Sequence, residues 1–204
     1  MTTSRLEAFS DGVFAIAITL LILEIRIPES EAGGHLANDL LHLWPSYAAY
    51  AVSFLVIGIY WVNHHMIFDH VERVDRPLLF LNLGLLLSVS FMPFPTGVLA
   101  RFIREDDAEI AAAAYSATML VAALAFFALW WYAATREALL QHDVHAGQVR
   151  SLLMTSVPGP VLYAACFGLS FINAPLTLAV HAALAIFWAA KGVRWPAHEA
   201  APGT

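Results

Sequence analysis

Long runs without a charged side chain are the feature that most limits what this chain can fold into. They cover residues 40–68, 77–100, 110–135 and 151–190. Each is at or beyond the ~20 residues that a helix needs to cross a bilayer. Only 13% of the 204 residues are charged and 60% are hydrophobic, whereas soluble domains carry about 25% charged residues. The sequence therefore predicts an integral membrane protein embedded in a lipid bilayer.

The first hydrophobic segment differs from the others because its uncharged part is too short. Between Asp11 and Glu24 lie 12 uncharged residues, about 18 Å of helix at ~1.5 Å per residue, against a hydrocarbon thickness of ~30 Å. A spanning helix must therefore include Asp11. An acid inside a membrane helix costs at least ~2.5 kcal/mol on insertion scales, so Asp11 is predicted to serve function or assembly.

The number of spans follows from the remaining runs. The run at 151–190 is twice the length of one span, and Pro175 interrupts it where a helix would have to stop. The sequence thus predicts an all-α membrane protein with six transmembrane helices in one domain over residues 1–191, followed by a disordered cytoplasmic tail at 192–204. The predicted spans are 8–27, 44–67, 77–100, 109–135, 150–173 and 175–191.

The distribution of charged residues and the single cysteine limit the orientation of the protein in the membrane and the partners it can bind. With the N-terminus inside, the predicted cytoplasmic segments hold seven Lys and Arg residues against three outside, which predicts that both termini are cytoplasmic. The lone Cys166 has no second cysteine to pair with, so disulfides and thiolate metal clusters are excluded. No basic stripe with interleaved aromatic residues accompanies the net charge of −6, so no nucleic-acid partner is expected.

Helical periodicity divides the first span into two faces. At about 100° per residue, one face lies within roughly 60° of a line through Ile16, and Asp11 falls on the far side. The residues on that face are Phe9, Gly12, Ile16, Thr19, Leu20, Leu23 and Ile27. An aliphatic stripe on a membrane helix more often packs or faces lipid than lines a pathway, so the pattern alone leaves these alternatives open.

The same segment resembles the signature of a known family. Arg5-x-x-x-Phe9-Ser10-Asp11, followed by Gly-Val-Phe-Ala-Ile-Ala-Ile-Thr-Leu-Leu, is similar to the motif of the transmembrane protein 175 family of potassium channels in its prokaryotic six-helix form. The resemblance implies a homotetramer in the prokaryotic plasma membrane, with potassium ions as the permeant species and no cofactor. It also implies a central pore lined by the first helices, whose narrow part consists of aliphatic rings.

The resemblance assigns the ring residues by their distance from the motif. The constriction is predicted at Ile16, Leu20 and Leu23, with Thr19 as a polar ring one turn outward of Ile16. A hydrophobic ring offers an ion no ligands, so it acts by size and by resisting wetting. Because potassium sheds water more readily than sodium, we expect modest potassium selectivity and a leak-like conductance. No span carries an arginine ladder, so voltage dependence should be weak.

Glu24, at the outer end, has two open interpretations. Fourfold repetition would make it a ring that concentrates cations at the mouth. Alternatively, it is an interfacial acid that faces water or Arg26.

Polar residues at the cytoplasmic end of the second span are expected to hold the first helix. Trp61 and His65 are four residues apart and share a helical face, and the resemblance places this Trp and His in the network around the motif. We therefore expect Asp11, beside Ser10, to interact with His65 and Trp61. Arg5 is expected to brace the first helix against a neighbouring element or subunit.

Other classes of protein and site receive less support. His65, Asp69 and His70 lack a His-Glu-x-x-His pattern or a cysteine ligand, so no metal site is predicted. A secondary transporter of a small cation is the alternative function, but residues 109–125 contain no second Phe-Ser-Asp that would mark an inverted repeat. No pairing of nucleophile and base can be drawn, so an enzyme is not expected.

Overall fold

The computed structural model describes residues 3–28, 36–141, 153–154 and 156–192. Within these ranges the regular secondary structure is all helical apart from one isolated β-bridge, which confirms the all-α prediction for this part of the chain. The α-helices are α1 (Thr3–Leu20), α2 (Leu36–His42), α3 (Trp44–Phe68), α4 (Arg76–Phe91), α5 (Pro93–Phe102), α6 (Ala108–Thr135), α7 (Pro158–Ser170) and α8 (Ala174–Gly192). Short 3-10 helices follow α1 at Leu21–Glu24 and α6 at Glu137–Leu139.

Four helical segments are long and apolar enough to cross a bilayer. They are Thr3–Glu24, Trp44–Phe68, Arg76–Phe102 and Ala108–Thr135, with 22, 25, 27 and 28 residues. They overlap the first four predicted spans. The predicted fifth span, 150–173, falls partly outside the described residues. In the predicted sixth span, the apolar part of α8, Ala174–Ala190, is shorter than the other four. The predicted tail lies beyond the described residues except for Gly192.

The first span begins earlier and ends earlier than the sequence suggested. It starts at Thr3 and its helical part stops at Glu24, because Ile25 adopts an extended conformation with φ −85° and ψ 96°. Pro28, three residues later, cannot continue a helix. The whole Phe-Ser-Asp motif is thereby contained within α1.

The helices pack so that α1 lies against α3 and α4. α5 packs against α3 and α6 and also contacts the 3-10 helix at the end of α1. The break between α4 and α5 falls at Met92, where Pro93 opens the second piece at the first helical turn, a position that tolerates its missing N–H. α6 packs against α4, α5 and α7.

One end of the bundle is tied together by its loops. Val71, after α3, forms the isolated antiparallel bridge with Leu140, and Glu72 N–H donates to the Leu139 carbonyl at 2.8 Å. Asp75 uses both carboxylate oxygens: Oδ1 accepts from Leu78 N–H and caps α4, and Oδ2 accepts from the Tyr132 hydroxyl at 2.7 Å. The end of α3 that carries Trp61 is therefore fixed to α4 and α6.

Candidate functional site

α1 has one face inside the bundle and one face outside it. The buried residues of α1 and of the 3-10 helix that follows it are Leu6, Ser10, Phe14, Ala17 and Leu21, none more than 3% exposed. Their spacing of three or four residues places them on one side of the helix, which packs on α3 and α4. Asp11 and Gly12 lie outside this buried row and are exposed.

The four residues predicted to line the narrow part lie together on the exposed face. Ile16, Leu20 and Leu23 are 61%, 43% and 70% exposed, and Thr19 is also exposed. They form a continuous apolar row with one hydroxyl. Nothing in the described part of the chain covers this row.

The 3-10 helix at the end of α1 changes the direction in which the Leu23 and Glu24 side chains point. At three residues per turn, each residue turns about 120°, so Leu23 lies directly in line with Leu20. A continued α-helix would place Leu23 about 60° away. The same tightening turns Glu24 about 120° from Leu20, instead of about 40°. The row of aliphatic side chains is therefore straighter than helical periodicity predicts, and Glu24 lies to one side of it.

Thr19 presents an acceptor along the row. Its Oγ1 lies 2.9 Å from both the Ala15 and the Ile16 carbonyl oxygens. A hydroxyl has one hydrogen and two acceptor lone pairs, so the hydrogen is used by the helix backbone. The lone pairs of Thr19 Oγ1 remain available to accept a hydrogen bond from water or to coordinate a cation.

Asp11 is bonded directly to the second span. Trp61 Nε1 donates to Asp11 Oδ1 at 2.9 Å. His65 stacks against Trp61, with ring centroids 6.5 Å apart, and its Nε2 lies 4.0 Å from Asp69 Oδ1. Among the described residues no hydrogen bond joins His65 to Asp11, because His65 lies one turn, about 6 Å, further along α3 than Trp61. His65 therefore contacts Asp11 only through the Trp61 ring.

A buried hydrogen-bond chain that sequence reasoning missed joins α1, α3 and α4. His64 Nε2–H donates to Asn82 Oδ1 at 2.8 Å, and Asn82 Nδ2 donates to Ser10 Oγ at 3.0 Å. Ser10 in turn donates to the Leu6 carbonyl at 2.9 Å. Ser10, His64 and Asn82 are at most 1% exposed. The available signal was that Asn82 is the one amide side chain in the uncharged run 77–100.

The remaining motif residues face outward. Arg5 and Phe9 are exposed, and Arg5 makes no ion pair with any described residue. A bracing contact for Arg5 within these ranges is thus not seen, and its contact with a neighbouring subunit stays a prediction.

Glu24 is half-buried and lies against α5. A Cβ atom built on Gly97 would overlap Oε2 of Glu24, so the carboxyl occupies the space beside the bare Gly97 backbone. No ion pair with Arg26 is formed within the described residues. The carboxyl shares a groove with Leu20, Leu23 and the α4–α5 break.

Metal-ligating side chains are not gathered at this site. Within the described ranges no group of three or more His, Cys, Asp and Glu side chains is placed to hold an ion.

Comparisons with known proteins agree with the signature in α1. The model of the family described as "Endosomal/lysosomal potassium channel TMEM175" matches residues 5–93, which include the motif, Trp61 and Asn82. A potassium channel of Streptomyces collinus is 51% identical over 200 residues, covering 98% of this chain and 97% of that protein. A potassium channel of Chamaesiphon minutus is 45% identical over 192 residues, covering 93% and 94%.

A solved structure has the same fold. The crystal structure of a lysosomal potassium-selective channel TMEM175 homolog from Chamaesiphon minutus superposes with a TM-score of 0.82 at 42% identity, covering 93% of this chain and 97% of the other. The similar proteins are ion channels and not enzymes. On identity over almost its full length, this chain is a membrane protein of the TMEM175 family of ion channels.

Proposed function

We propose that this protein is a modestly potassium-selective, leak-type cation channel of a prokaryotic plasma membrane. The observation that carries the proposal is the exposed row Ile16, Thr19, Leu20 and Leu23 on a helix whose opposite face is buried. The relatives at 51% and 45% identity are named potassium channels, which supports potassium as the permeant ion.

The proposed assembly is a homotetramer of six-helix subunits with both termini cytoplasmic. One bundle cannot enclose a pathway along its own outer surface, so a pore along the row requires several copies around an axis. Four copies would place four Ile16, four Leu20 and four Leu23 side chains in stacked rings. Residues 1–191 form the channel domain in this proposal.

Ion selectivity in such a pore depends on the cost of dehydrating the ion and on whether water can enter the narrow part. Aliphatic rings supply no ligands, so an ion passes only with part of its water shell and against a barrier to wetting. Potassium is favoured because it releases water more readily than sodium. The Thr19 oxygens, whose hydrogens are engaged by the backbone, offer partial compensation. The Glu24 carboxylates near the outer end add negative potential that attracts cations to the mouth.

Electrical recording tests the function directly. Purified protein in planar bilayers is expected to give unitary current steps whose reversal potential follows the potassium gradient and shifts only modestly with sodium. A saturable, coupled flux without unitary steps would instead identify the secondary transporter.

The bond between Asp11 and Trp61 leads to a prediction about assembly. Asp11→Asn and Trp61→Phe should each weaken the fixed rotation of α1, because the first removes the charge and the second removes the indole N–H. A charge-assisted hydrogen bond contributes about 1.5–3 kcal/mol. We expect loss of the tetramer in size-exclusion chromatography, or loss of current.

The control for this pair is Glu7→Gln. Glu7 is an acid one turn earlier on α1 and has no hydrogen bond or ion pair in the described structure. If the Asp11→Asn variant forms an intact, normally conducting tetramer, the contact between Asp11 and Trp61 does not fix the rotation of α1.

A further inference from the structure

Gly97 differs from the other described glycines that lie within the spans. A Cβ atom at Gly12, Gly58 or Gly84 would meet no atom within 4 Å, whereas at Gly97 it would overlap the Glu24 carboxyl. Gly97 lies inside the regular helix α5, where an alanine would normally be preferred. The absence of a side chain is therefore explained by the space that Glu24 occupies, and not by backbone conformation.

The direction of Glu24 follows from the end of α1. The 3-10 turn at Leu21–Glu24 rotates Glu24 about 120° from Leu20, to the side of the row that faces α5. There the side chain is half-buried between the end of α1 and the α4–α5 break, near Ser90 and Pro93. Both features, the turn and the bare backbone at Gly97, place the carboxyl to one side of the row, on the α5 wall of the groove that it shares with Leu20 and Leu23.

A retracted carboxyl acts on the mouth less strongly than one on the row. The interaction between two charges falls with the distance that separates them. At physiological ionic strength it is largely screened beyond about 8 Å of water. A displacement of a few ångströms at Glu24 therefore changes the potential at the outer end of the row.

We infer that Gly97 is a positioning residue for Glu24: its bare backbone holds the carboxyl back from the outer end of the pore and so limits how strongly the mouth attracts cations. This inference rests on the proposed channel function. It makes the Glu24 ring adjustable through a residue on a different helix.

The test is Gly97→Ala in planar bilayers. Displaced from its place on α5, the Glu24 carboxyl moves toward the row and raises inward potassium conductance at low salt, by roughly twofold. The increase should disappear near 1 M salt, where the Debye length is about 3 Å. A purely structural defect would not follow ionic strength in this way.

The double variant separates charge from packing. Glu24→Gln alone should lower low-salt conductance slightly, and Glu24→Gln with Gly97→Ala should behave as Glu24→Gln alone. Gly84→Ala, on α4 with open space around it, is the matched control and should conduct as wild type. If Gly97→Ala fails to assemble, Glu24→Asp, whose side chain is one methylene shorter, should restore assembly when combined with it.

Several results would overturn the inference. They are an assembled Gly97→Ala channel with unchanged low-salt conductance, an increase that persists with Gln at position 24, and a Gly97→Ala assembly defect that Glu24→Asp does not relieve. A wild-type protein that passes no potassium current would instead overturn the proposed function, and the inference with it.

Discussion

Ile16→Asn is expected to raise unitary conductance and to remove most of the preference for potassium over sodium. Four amide side chains would replace four branched aliphatic ones at the proposed constriction, supplying ligands and allowing water to enter. The ratio of potassium to sodium permeability should fall about three- to tenfold, equivalent to ~0.6–1.4 kcal/mol. Bi-ionic reversal potentials and unitary currents measure both effects.

The matched control is Ile22→Asn. Ile22 is an isoleucine on the same segment with 51% exposure, but the 3-10 turn places it about 120° from the line of Leu20 and Leu23. It should leave permeability unchanged. An assembled Ile16→Asn channel with wild-type conductance and selectivity would refute the constriction, and an equal effect of Ile22→Asn would refute the assignment of the row.

The two faces of α1 were predictable because the information is local. Helical geometry fixes which of Ile16, Leu20 and Asp11 share a side, and the specific motif places the segment within a family. The structure leaves the Ile16 row exposed and buries Leu6, Phe14 and Ala17, whereas Asp11, on the far side from Ile16, is exposed beside Trp61. What local geometry did not predict is the 3-10 turn at Leu21–Glu24, a segment that contacts both α3 and α5.

The partners of the motif were less predictable because they depend on the rotation of other helices. α3 and α4 are hydrophobic on most sides, so their sequences do not show which face turns inward. His64 and His65 differ by only one residue, about 100° of rotation, yet His64 is buried and His65 is exposed. The spacing from Trp61 correctly identified His65 as the residue that stacks on the indole ring. It did not identify His64, which forms the hydrogen bond with Asn82.

Asn82→Leu is expected to be the most destabilising single change at the site. It removes the acceptor of His64 Nε2–H and the donor to Ser10 Oγ, both in positions without access to water. Leaving a buried donor unsatisfied costs about 1–3 kcal/mol, and hydrogen bonds between membrane helices average ~0.6 kcal/mol with a maximum near 1.7. Thermal stability of the detergent-solubilised assembly should fall by ~1–3 kcal/mol, and current should fall with it because Ser10 adjoins Asp11 on α1, the helix proposed to line the pore.

Two further variants separate the hydrogen-bond chain from the general effect of adding a leucine. Asn63→Leu is the control, since Asn63 precedes His64 on α3, is only half-buried and makes no hydrogen bond among the described residues. The melting temperature of Asn63→Leu should equal that of the wild-type protein. His64→Leu combined with Asn82→Leu should be less destabilised than the sum of the two single variants, because no buried donor is then left without an acceptor. Two results would show that the hydrogen-bond chain from His64 to Ser10 does not hold α1 in place. One is a double variant whose destabilisation equals the sum of the two single variants, and the other is a wild-type melting temperature for Asn82→Leu.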